Sequence, residues 1–229
     1  MSVVAFQFDP TRHAGQQVLE SLREAIMSMQ LAPGAALDRS QLAEQFGVSQ
    51  TPVRDALNRL SEEGLVVVRP QHATLVSKID VAAAREAHFL RRSLELEIVR
   101  ELALAANPAD IDGLRTQLAL QQTLAARQDY RGFVAADKEF HRQTYVAAGL
   151  PRLWGLVQRM SGHVDRLRLL HLPSSGKMDS IMRDHQAIVE AIGRRDPAAA
   201  QQALRAHLSG TLASVDEIQQ RYPDFLLGE

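Results

Sequence analysis

Four side chains in the second half of the chain, one carboxylate and three imidazoles, have types and spacings suited to holding a metal ion. Asp137 and His141, in VAADKEFHRQTY, stand at i and i+4 and so project from one face of one helix. His185, in MRDHQAIVEAI, and His207, in ALRAHLSGT, fall on the same side of their segments as Ile188, Ile192 and Leu204. All four can therefore point into one helical core. An Asp with three His suits Zn²⁺, Ni²⁺, Mn²⁺ or Fe²⁺, and a six-coordinate ion would keep two positions for water or a chelating acid. A lone D-x-x-x-H is more often a surface ion pair or a hydrogen-bonded core histidine, so spacing alone leaves both readings open.

The elements that must position these groups can be read from periodicity and punctuation. Apolar residues at helical spacing (Val18, Leu19, Leu22, Ile26, Met29) mark a first helix, and LAPGAAL breaks the pattern. A short helix follows from Ser40 to Phe46, stopped by Gly47. Another starts after Ser49 with Pro52 in its first turn and ends at Gly64. LVVVR and TLVSK, two β-branched runs around PQHA, predict a small hairpin. Three helices and a hairpin make a winged helix-turn-helix over residues 10–78. Asp80 then caps a long helix to Ala106, and five more helices follow to about Tyr222, with no strand signal after Lys78. The expectation is a mainly α protein, its second part, residues 80–222, an all-helical antiparallel bundle.

The segment LAEQFGVSQTPVRDALNRLSEEGLVVV resembles the winged helix-turn-helix of the GntR family of regulators, whose string runs L-A-x-x-x-G-V-S-x-T-P-V-R-x-A-L-x-x-L-x-x-x-G-L. Leu42, Phe46, Val48, Val53, Leu57 and Leu60 would bury the inner faces of its two helices. Ser49, Gln50, Thr51, Arg54 and Asn58 are left on the outer face, where side chains reach phosphates and base edges. Where many relatives carry arginine, Gln50 suits adenine N6 and N7 in place of guanine O6 and N7. Ala73 replaces a usual wing glycine, and His72 beside it is a candidate for the minor groove.

The remainder resembles the FCD domain found in the FadR branch of that family. The resemblance implies that Asp137, His141, His185 and His207 are metal ligands. It also implies that the effector is a small carboxylic or hydroxycarboxylic acid. Arg91 and Glu95 match the R-x-x-x-E with which the first FCD helix begins. Arg91 then either clamps an effector carboxylate or pairs with Glu95 along the helix. Arg166 and Arg168 are similar candidates, but two residues apart they cannot both face inward.

Composition narrows the function. The 26 Lys and Arg nearly cancel 27 Asp and Glu, so any DNA-binding surface is local. The chain has no cysteine, which excludes a disulfide framework and thiolate sites. No stretch approaches the ~20 apolar residues of a membrane span, and a cytoplasmic protein is expected. The picture is a homodimeric repressor that reads an inverted repeat in double-stranded DNA and answers to an acid bound at a metal. A metal sensor without organic effector is an alternative reading. A metal-dependent enzyme is another, since such a site could activate water, but the sequence offers no obvious general base beside the ligands and no nucleophile motif.

Overall fold

A computed structural model describes residues 9, 11–68 and 73–228. Helix α1 (Ala14–Met27) buries Val18, Leu19, Leu22 and Ile26 against α3 (Gln50–Glu62), which contributes Val53, Leu57 and Leu60. Between them, α2 (Arg39–Phe46) begins where the Asp38 side chain accepts from the Gln41 amide at 2.8 Å. It ends at Gly47, whose φ of 63° needs a residue without Cβ. Three short strands close the head: β1 (Ala36–Leu37), β2 (Val66–Val67) and β3 (Thr74–Val76), antiparallel in the order β1-β3-β2. The LAPGAAL break thus supplies an extra strand, too short at two residues for alternation to reveal it. The wing tip, including His72, lies outside the described residues.

The second part is helical. α4 (Val81–Ala105) is capped by Asp80, α5 (Pro108–Ala126) by an Asn107–Asp110 capping box, α6 (Tyr130–Ala147) by Asp129 and α10 (Pro197–Ser209) by Asp196. With α9 (Lys177–Gly193) these form a bundle around Leu102, Phe140, Tyr145, Ile188, Ile192 and Leu204. Two expected helices are each broken in two. α7 (Pro151–Met160) gives way to α8 (Gly162–His171) at Ser161, and α10 to a 3₁₀ turn (Leu212–Ser214) and α11 (Val215–Arg221). Seven helices therefore follow α4 among the described residues where five were expected. One strand-like pairing also occurs beyond Lys78: Ile79 donates to Phe225 O at 2.8 Å and accepts from Leu227 N at 3.0 Å. Periodicity cannot reveal a bridge one residue long.

Candidate metal and effector site

Asp137 and His141 on α6, His185 on α9 and His207 on α10 converge in the bundle core, all buried, with one ligand atom from each within 4.8 Å of the others. The three imidazoles meet through Nε2: His207 Nε2 lies 3.1 Å from that of His141 and 3.2 Å from that of His185. Asp137 Oδ1, 3.6 Å from His185 Nε2, is buried with no hydrogen-bond partner. Neutral nitrogens crowded at hydrogen-bond distance, beside an orphaned carboxylate oxygen, are what a shared cation would satisfy.

Behind the cluster, the other ring nitrogens of His185 and His141 face polar groups, while His207 Nδ1 is buried without a hydrogen-bond partner, 3.9 Å from Asp184 Oδ2. His185 Nδ1 contacts Gln121 Oε1 on α5 at 2.8 Å. His141 Nδ1 lies 2.9 Å from Glu95 Oε2 on α4, a close approach that is not aligned as a hydrogen bond. Both contacts favour a proton on Nδ1 and a lone pair on Nε2, the usual outer support of a metal-bound histidine. Burial drives all three imidazoles toward the neutral form, His185 down to about 3 and His207 well below the ordinary value. Burial opposes charge on Glu95 as well, but the adjoining Arg91 outweighs it, and the carboxyl is held down to about 2. For Asp137, the neighbouring Arg168 likewise overrides burial and keeps the carboxylate ionised.

The arginines divide by the face of the helix they occupy. Arg91 Nε donates to Glu95 Oε1 at 2.7 Å, so the intrahelical pair exists, yet its buried NH2 has no partner. Arg168 grips Asp137 Oδ2. Two small cavities flank this pair, each about 20 Å³, room for roughly one water. Arg168, Lys177, Ile181 and Thr211 line both, Arg91 and His207 border the first, and Asp137 and Asp165 border the second. Lys177 gave no signal in the sequence, because nothing local marks it. A far larger groove of about 660 Å³ between α5 and α9 has exposed, mixed-charge walls such as Arg115, Arg183 and Glu190 and no converging ligands. Size there does not coincide with chemistry.

Arg166 lies elsewhere. Fully buried, it donates to Ser77 O (2.7 Å), Ser77 Oγ (3.1 Å) and Gly162 O (3.1 Å), and its NH2 is 3.1 Å from His163 Nδ1. Its guanidinium is used up in joining the head to α8, and it borders neither cavity. His163 beside it accepts from the Asp80 amide at 3.0 Å. Burial, then the Arg166 charge, pushes that imidazole down to about 4.

On the head, Ser49, Gln50, Thr51, Arg54 and Asn58 are all exposed along α3. Ser49 sits at the N-cap with its hydroxyl unused for capping, Gln50 Nε2 reaches Ser40 Oγ at 3.1 Å, and Arg54 forms a solvent-exposed pair with Asp55 at 3.2 Å. No partner would need to be broken at high cost for these groups to meet DNA.

A winged helix-turn-helix joined to an all-helical bundle is the architecture of a two-domain DNA-binding regulator of transcription. The comparisons with known proteins agree. Residues 14–76 match the model of the bacterial regulatory proteins of the gntR family, and residues 86–210 match the FCD domain. The transcriptional repressor RspR of Escherichia coli K12 is 30% identical over 226 residues, 99% of each chain. The repressor NanR of Cronobacter sakazakii is 31% identical over 234 residues, 90% of this chain and 86% of that one. The structure of E. coli McbR/YncC superposes with a TM-score of 0.76 over 92% of this chain and 99% of that one, at 22% identity, a likeness of fold. The chain belongs to the GntR family and carries a C-terminal FCD domain. Its relatives are regulators of transcription, not enzymes. Among the described residues no helix is long and apolar enough to cross a membrane.

Proposed function

We propose that this chain is a FadR-branch repressor in which residues 10–78 read DNA and residues 80–222 bind a divalent metal and a small carboxylic or hydroxycarboxylic acid. It would act as a homodimer on an inverted repeat, because two heads related by a two-fold axis read symmetric half-sites. Asp137, His141, His185 and His207 are the metal ligands in this reading, and the observation that carries it is their convergence through three Nε2 atoms and the orphaned Asp137 Oδ1. The nitrogen and oxygen donors fit Zn²⁺, Ni²⁺, Mn²⁺ or Fe²⁺. A bound ion would supply Lewis-acid affinity for the acid's oxygens. Arg91 and Arg168 supply the charge that receives its carboxylate. Ser49, Gln50, Thr51, Arg54 and Asn58, with His72 of the wing, are the DNA contacts.

Elemental analysis of protein purified without a polyhistidine tag is expected to find about one divalent ion per chain. A protein that takes up none after incubation with Zn²⁺, Ni²⁺ or Mn²⁺ sinks the metal reading. Thermal-shift screening of carboxylic acids, before and after chelation, tests the effector. Stabilisation that survives removal of the metal unchanged would separate the acid from the ion.

A further inference from the structure

Lys177 is placed against the grain of its helix. As the first residue of α9 it puts a cation at the positive end of a 17-residue helix dipole, where an acid would be favoured. It is half-buried and forms no ion pair among the described residues; Asp184 and Asp137 act on it only from a distance. Burial, with Arg168 nearby, works against its charge. Its Nζ sits over Gly210, where a Cβ would come within 2.7 Å, so the chain leaves room for the ammonium at that point. A second cation has donor capacity to spare, since Arg91 pairs with Glu95 through Nε but its NH2 is buried without a partner at the edge of the first cavity.

Charge balance gives these facts a direction. The carboxylates that line the two cavities or pair with their arginines are Glu95, Asp137 and Asp165, and the cations that line them are Arg91, Arg168 and Lys177. The two sets are equal in number, so a divalent ion leaves two uncompensated positive charges in a buried setting. A monocarboxylate would cancel one; a dicarboxylate cancels both. Resting on the metal-and-acid reading above, we infer that the effector carries two anionic groups and that Lys177, seated over Gly210, selects the second. Arg168 and Lys177 line both cavities, each too small for such an acid alone, so a bound diacid has to displace these side chains as it pairs with them.

The test is calorimetric titration of the full-length, Zn²⁺-loaded protein with α-hydroxy acids bearing one carboxylate (glycolate, lactate, gluconate) or two (malate, tartrate, galactarate). The tightest ligand is expected to be a diacid, preferred about tenfold or more over the best monoacid. Lys177→Met is expected to shrink that preference to about threefold or less, leaving monoacid affinity, Zn²⁺ content and melting behaviour unchanged, and Lys177→Arg to restore it. A monoacid as the tightest ligand, or Lys177→Met weakening both classes alike, overturns the inference while the effector reading stands. Zn²⁺-loaded protein that binds no acid removes the effector reading itself, and this inference with it.

Discussion

Gln121 is fully buried on α5, and its carbonyl faces His185 Nδ1, while its Nε2 has no partner of its own. That contact holds one imidazole in one tautomer. Gln121→Leu keeps the volume and removes the acceptor, so metal affinity is expected to fall by roughly 10- to 100-fold with little change in fold, measured by chelator competition. Wild-type affinity would mean that the tautomer is set elsewhere. His163 gives a second prediction, of pH dependence. Its imidazole titrates at about 4 in the folded chain, below the ordinary 6.5, so the unfolded chain binds the extra proton first and stability is lost as pH falls from 6.5 toward 4. From pH 7.5 to 5 this amounts to about 2 kcal/mol at most. His163→Asn, whose side-chain oxygen can still accept from the Asp80 amide, should show a smaller loss in urea unfolding over that range. An equal loss in both proteins would assign the acid sensitivity to other groups. Residues of this kind show where sequence reading stops. Asp137 and His141 are legible because a helix carries i and i+4 to one face. Gln121 and Lys177 are not, since each finds its role only through partners far along the chain.

Among the elements, α8 is the one that touches both ends of the regulator's task. One face presents Arg168 to Asp137 and Asp165 to Lys138, and the other presents Arg166 and His163 to Ser77 and Asp80. Gly162 brings the helix close to the head, because a Cβ there would stand 2.6 Å from Leu65 Cδ2. Sequence spacing says correctly that residues 166 and 168 cannot share a face, but not which face meets the cavity; tertiary packing decides that. Arg166→Met leaves Ser77 O and Ser77 Oγ short of a donor and is expected to cost about 2–4 kcal/mol, read by chemical denaturation. Metal content should be unchanged, since Arg166 touches none of the four ligands. Loss of metal along with stability would show that the seam and the cluster fold as one unit. The helix breaks at Ser161 and Gly210 were illegible for a related reason: both segments keep helical periodicity across them, and only the packed structure shows where the axis turns.

At the scale of the whole molecule, the family string fixed the head's fold in advance, and the exposed row on α3 is where its specificity should be tested. Arg54→Ala is expected to abolish operator binding or to weaken it by the ~1–3 kcal/mol of a base-reading contact, seen by gel shift or anisotropy. Gln50→Arg should change the preferred base at one position of each half-site in a selection from random DNA. An unaltered site would leave Gln50 as a solvated side chain. The head is also tied to the body with little slack. Of the four residues from Ser77 to Asp80, three are held from two sides: Ser77 by Arg166 and the Asp80 amide by His163, both on α8, and Ile79 by the chain at 225–227. Such a junction makes the head a poor interchangeable part. A borrowed head that lacked a hydroxyl at the place of Ser77, or a bare backbone at the place of Gly64 where His163 approaches, would keep its DNA preference and still not seat on α8. In the shuffling of ready-made heads and sensors, the barrier would then lie in these four residues more than in either ligand, and a working hybrid would have to inherit α8 together with the head it serves.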